Sequence, residues 1–138
     1  MKLYKTTAAD KALIQKAADV SKKNYITGRK YSMTVGSALL SKKGKIYFGV
    51  DFDNKQDIDT TICSEMASIA NMIAKGKEKM IDTIVAVENN PKEKKYKIIT
   101  PCGNCQTVLK NSGNPFVIIS DKEKVRAKEL YACAGKLE

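Results

Sequence analysis

The sequence predicts an α/β fold: a three-layer α/β/α sandwich with a central mixed sheet of about five strands, built as a single domain over residues 1–138. Three observations carry this expectation. An opening segment has helical apolar spacing, two apolar runs follow that are joined by a glycine-containing turn, and short β-branched runs then alternate with helical segments. A hairpin followed by strand–helix alternation puts antiparallel and parallel neighbours into one sheet and places helices on its faces.

Each element has its own sequence signal. Ala8 to Lys23 carries Ala12, Leu13, Ala17 and Val20 near the helical period, with Thr7 placed to cap its start. Asn24 and Gly28 mark a loop. Thr34 to Leu40 and Lys45 to Val50 are apolar runs separated by Ser41-Lys42-Lys43-Gly44, a hairpin signature. Asp51 to Thr61 is polar and reads as a loop. Cys63 to Ala74 returns to helical spacing through Met66, Ile69, Ala70, Met72 and Ile73. Asp82 to Val87 is a compact β-branched run, Lys97 to Thr100 leads into Pro101, and Cys102 to Lys110 reads as a short helix. Phe116 to Ser120 is a further buried strand, and Lys122 to Cys133 is expected to form a closing helix. No repeat, linker or second core is visible.

A chain of this length buries roughly two-thirds of the surface exposed when unfolded, so it needs no covalent staples. No stretch approaches the ~20 consecutive apolar residues of a membrane span. Met1 to Lys5 lacks the apolar core of a signal peptide, and a cytoplasmic location is expected. There thiols stay reduced, so the four cysteines read as metal ligands or core thiols rather than disulfides. The formal charge of +10 attracts anions. Yet its lysines cluster at expected turns and helix ends without interleaved aromatics, which reads as a solvated surface and argues against a nucleic-acid partner.

Chemistry concentrates in Cys63-Ser64-Glu65 and Pro101-Cys102-Gly103-Asn104-Cys105. With no histidine in the chain, a zinc site must use thiolate or carboxylate ligands, and a histidine base is excluded. Cys63, Cys102 and Cys105 can hold Zn2+ by sulfur and leave its fourth position to water. Glu65 can then serve that water as catalytic acid and base. Both thiol groups sit at expected helix starts, where backbone N–H groups and the helix dipole lower thiol pKa values. The competing reading is a structural zinc knob in a non-catalytic zinc-binding protein. Cys133, in an apolar stretch, reads as a small buried residue rather than a fourth ligand.

These two elements resemble the C-A-E and P-C-x-x-C elements of the cytidine deaminase superfamily, in particular its small branch with three cysteine ligands. Tyr31-Ser32 with Val35-Gly36-Ser37-Ala38-Leu39-Leu40 resembles that family's Y-S-x-F-x-V-G-A-A-L, and Gly44 to Val50 resembles the strand that follows. The resemblance implies hydrolytic deamination of a free cytosine nucleoside, cytidine or deoxycytidine, with Ser64 N–H beside the base carbonyl. It also implies a homotetramer with sites at subunit boundaries. Asp51-Phe52-Asp53 stands where the family has N-x-E, making Asp51 and Asp53 the candidate substrate contacts. The base-facing Phe is missing, with Met33 or Thr34 in its place, and Met66 and Gln106 stand where the family has Arg. These departures point toward the blasticidin S deaminase side of the superfamily as the alternative. There, an acidic loop of Asp51, Asp53, Asp57 and Asp59 suits a cationic cytosine compound, unless it is simply a solvated loop.

Overall fold

Among the described residues the elements follow in the order β1 (Tyr4–Lys5), α1 (Ala8–Lys23), β2 (Ile26–Thr27), β3 (Tyr31–Met33), β4 (Val35–Ser41), β5 (Ile46–Val50), β6 (Phe52–Asn54), β7 (Thr60–Ile62), α2 (Ser64–Gly76), β8 (Ile81–Asn90), β9 (Lys95–Ile99), α3 (Gly103–Lys110), β10 (Phe116–Ile118) and β11 (Glu123–Arg126). The structure is a computed structural model describing residues 1–55, 60–101 and 103–130. Cys102, Asp57, Asp59 and Cys133 lie outside the described residues, as does the end of the expected closing helix.

Helix α1 begins where the sequence places it. The Thr7 hydroxyl accepts from Asp10 N–H at 3.2 Å and the Asp10 carboxylate accepts from Thr7 N–H at 2.8 Å, a reciprocal capping box. The helix buries Leu13, Ile14, Ala17 and Ala18 against Ala38 of β4 and Val85 and Val87 of β8. On the opposite face Ile69 and Met72 of α2 and Leu109 of α3 pack against Leu39, Ile84 and Val117. Alternate residues of the same strands thus serve two helical layers, which is the three-layer sandwich expected.

The central sheet is mixed and has seven strands, in the order β1-β11-β10-β8-β4-β5, with β9 pairing the remaining stretch of β8. Among the described residues only β10–β8 is parallel. The two strands beyond the expected five are β1, too short to carry a pattern, and β11, which corrects the expected closing helix over Lys122 to Cys133. Glu123 to Arg126 is rich in helix formers, but it pairs with β10 through Val117↔Val125. It also buries Lys124 in a 2.7 Å ion pair with Asp10. Tertiary pairing overrides local propensity there, and helix begins only at Ala127, continuing through 130, the last described residue.

A second correction concerns the expected loops around Asn24 and over Asp51 to Thr61. Both contribute to a four-stranded antiparallel sheet, β2-β3-β6-β7. Its strands are two or three residues long, below the length at which alternation can be read. The strand β3 runs on into β4 and β5 into β6, so the chain passes twice between the sheets. Asp51 ties the crossing point, accepting Thr34 N–H at 2.8 Å and Val35 N–H at 2.9 Å on Oδ1. No helix is long and apolar enough to cross a membrane among the described residues.

Candidate active site

Pairing of β7 with β6 in the register Phe52↔Ile62 returns the chain so that the next residue, Cys63, is the N-cap of α2, in extended conformation (φ −71°, ψ 143°). The first helical bond runs from Ala67 N–H to Cys63 C=O at 3.0 Å. The N–H groups of Ser64, Glu65 and Met66 therefore precede any intrahelical partner and give the helix start its partial positive charge, which favours a thiolate at Cys63.

Helix α2 is seated by close contacts with the sheet. Ser37 Oγ donates to Ser64 C=O at 2.6 Å. Gly49 has no side chain because a Cβ there would lie 2.4 Å from both Ser64 O and Ser68 N. Glu65 is only 4% exposed. Its Oε1 accepts from Ser64 Oγ at 2.9 Å, and its backbone carbonyl accepts from Ser68 Oγ at 2.7 Å.

Cys63, Ser64, Glu65 and Asp51 line one pocket of about 160 Å³. Its remaining wall is Val35, Thr61, Ile99 and Thr100. A larger hollow of about 460 Å³ between α1 and the β8–β9 hairpin contains lysines and no thiol. Cys105 is buried in the first turns of α3. Gln106 Nε2 donates to Pro101 C=O at 2.8 Å and ties that helix to the proline before Cys102. Among the described residues no three His, Cys, Asp or Glu side chains gather as a metal site. Cys63 and Cys105 are the described members of the expected set. Thiols at two helix starts, with an acid beside one of them, are donors of a type that fits zinc.

Asp53 does not reach the pocket itself. Its carboxylate accepts from Thr61 Oγ1 at 3.0 Å, so it touches the site only through that threonine. Asp51 is not a solvated loop residue but a 7% exposed acceptor with Oδ1 held by two backbone donors. Neither Met33 nor Thr34 lines the pocket; Val35 does. Of the wall residues missed from sequence, Thr100 had a signal in its place beside Pro101. Val35 had one in the Val35-Gly36-Ser37 run, and Thr61 and Ile99 had none.

The architecture superposes on the crystal structure of cytidine deaminase from Mycobacterium leprae with a TM-score of 0.70 at 20% identity, covering 91% of this chain and 98% of that one. It superposes on cytidine deaminase from Burkholderia pseudomallei with a TM-score of 0.68 at 24% identity, covering 91% and 96%. The class of protein is therefore the cytidine deaminase fold. The family model for the cytidine and deoxycytidylate deaminase zinc-binding region matches residues 7–121, and the chain belongs to that family. A relative described as a probable cytidine deaminase of Dictyostelium discoideum is 33% identical over 72 residues, 52% of this chain. The match spans 45% of that relative's length.

Proposed function

We propose that the chain is a zinc-dependent hydrolytic deaminase of a free cytosine nucleoside, converting cytidine or deoxycytidine and water into uridine or deoxyuridine and ammonia. The observation that carries this reading is Glu65, a carboxylate 4% exposed that shares its pocket with Cys63. A structural metal site has no use for such a group. Zinc held by Cys63, Cys102 and Cys105 would supply a polarised water at the position the three sulfurs leave open.

The roles of the chain's own residues follow. Glu65 moves the two protons of the attacking water in turn: one goes to the ring nitrogen as a C–O bond forms at the amine-bearing carbon, and the other goes to the exocyclic amino group as its C–N bond breaks, so that the carbonyl forms and ammonia leaves. The main-chain N–H of Ser64, at the start of α2, receives the base carbonyl. Asp51, with Oδ1 held by Thr34 and Val35, offers Oδ2 to a sugar hydroxyl. Val35 and Ile99 shield the ring from water. The pocket is smaller than the ~300–1,000 Å³ of drug-sized sites, which suits a single pyrimidine ring.

Assembly as a homotetramer with sites near subunit boundaries is supported by exposed apolar residues on α2, the helix that carries Glu65, and on the edge strand β5. Met66 and Ile73 of α2 are 37% and 49% exposed, and Phe48 of the edge strand β5 is 39% exposed. Thiol ligands accord with a reducing, cytoplasmic setting.

The test is an ultraviolet screen for loss of the cytosine chromophore with zinc-loaded protein, across cytidine, deoxycytidine, cytosine, N4-substituted cytidines and blasticidin S. Turnover of the nucleosides supports the reading, preference for blasticidin S reassigns the substrate, and silence on the whole panel refutes it. Glu65→Gln is expected to keep zinc and lower kcat at least ~100-fold.

A further inference from the structure

We infer that Ser64 is a positioning residue for Glu65: its side-chain hydroxyl holds one carboxylate oxygen over the start of α2 and leaves the other to carry the proton. This rests on Glu65 being the acid/base proposed above. Ser64 is 1% exposed, and its Oγ donates to Glu65 Oε1 at 2.9 Å. Among the described residues it is the one donor to that carboxylate, and Oε1 is the one acceptor for that hydroxyl.

Neighbouring residues on a helix point about 100° apart and do not ordinarily meet. The 2.9 Å contact brings the Glu65 carboxylate back onto the residue before it, in the turn that Cys63 caps. Ser64 is itself fixed. Its carbonyl accepts from Ser37 Oγ at 2.6 Å and sits against Gly49, where a Cβ would come within 2.4 Å. The hydroxyl thus springs from a backbone anchored to β4 and β5, and a hydrogen bond to a charged acceptor is stronger than a neutral one. A glutamate without that tether has several side-chain torsions to sample, and the proton-transfer geometry is one of many arrangements.

The expected signature separates positioning from folding. Ser64→Ala keeps the main-chain N–H, so KM for cytidine stays within about twofold while kcat falls about tenfold. In a Glu65→Gln background, Ser64→Ala adds no further loss, because the hydroxyl acts through the carboxylate. Ser64→Thr, which keeps the hydroxyl, recovers most of kcat and serves if the alanine variant folds poorly. Zinc-free protein provides a readout independent of turnover: infrared bands isolated as wild type minus Glu65→Gln shift on Ser64→Ala. Unshifted bands, an unchanged kcat, or full additivity in the double variant would each overturn the inference. Shifted bands in a wild-type protein silent toward every cytosine compound would support the contact and overturn the deaminase reading instead.

Discussion

Replacing Gly49 by alanine tests whether the chemistry depends on where α2 is seated. The new Cβ would lie 2.4 Å from Ser64 O, 2.4 Å from Ser68 N and 2.9 Å from the Ala67 carbonyl carbon. All three are backbone atoms of the helix's first turns, so no side chain can swing aside. Ordinary contact begins at 3.4 Å, and 3.4 less 2.4 leaves a deficit of 1.0 Å that the helix start must absorb by moving off β5. Cys63, Ser64 and Glu65 travel with it. Displacements near 1 Å cost on the order of 100-fold in rate, and overpacking costs about 1–3 kcal/mol of stability. Gly36→Ala is the matched control, because its Cβ would lie 2.6 Å from Ser21 N and 2.7 Å from Ala17 O, on α1 and the opposite face. Both variants are expected to melt roughly 3–10 °C lower. Measured well below those melting points, only Gly49→Ala should lose zinc affinity and about 100-fold in kcat. Equal losses in the two variants, or normal turnover by Gly49→Ala, would refute the reasoning.

Three further outcomes are expected. Asp51→Ala strands the N–H groups of Thr34 and Val35, costing about 1–3 kcal/mol for each bare donor in a denaturant titration. Asp51→Asn retains an acceptor and should cost clearly less; equal costs would count against the tether. Tyr47 donates to Glu78 Oε2 at 2.6 Å. That bond foremost, with Ser41 second, holds Glu78 below its ordinary 4.5, and Glu78 in turn raises Tyr47 above 10.0. The carboxylate's contribution to stability is therefore present above about pH 4.5 and lost as pH falls through the lowered folded value; the phenol's is present below pH 10.0 and lost as pH rises through the raised one. Tyr47→Phe should flatten both limbs of the melting-temperature profile, and a profile parallel to wild type would refute the coupling. Chelation of zinc should lower the melting temperature, and readdition should restore it by about 2.7 kcal/mol of stability at a hundredfold excess over Kd. Cys63→Ala should abolish that zinc-dependent rise, and its persistence would remove Cys63 from the ligand set.

Legibility of the fold tracked the length of each signal. Helix α1 matches its expected span because sixteen residues hold the period and Thr7 and Asp10 mark its start. Helix α2 begins one residue late because Cys63 serves as its cap. The strand β8 runs past Val87 to Asn90 because Glu88, Asn89 and Asn90 pair with Lys97, Tyr96 and Lys95, a partnership their polarity does not announce. The segment Glu123–Arg126 misled for the converse reason. Its residues favour a helix locally, yet Lys124 meets Asp10 across 114 residues and lies over the Phe116 ring at 4.4 Å.

The site divides along the same line. Thiols and a carboxylate carry their chemistry in residue type, so Cys63, Glu65 and Cys105 stand out in the sequence as candidates, and the structure brings Cys63 and Glu65 into one pocket. The rest of the pocket wall was less legible, because Thr61 and Ile99 belong to it only through where four chain segments meet. Asp51 shows the difference most sharply. In sequence it is one acid in a polar stretch; in the structure it is where the chain leaves one sheet for another and exposes two backbone donors, which its Oδ1 satisfies. That strand crossing needs an acceptor, and a carboxylate supplies one while keeping a second oxygen for a ligand. The same economy governs Ser64, whose backbone is anchored by Ser37 and whose hydroxyl is thereby aimed at Glu65. Residue type thus specifies which reaction the pocket can run, whereas the anchoring contacts of β4 and β5 decide whether its groups are placed to run it.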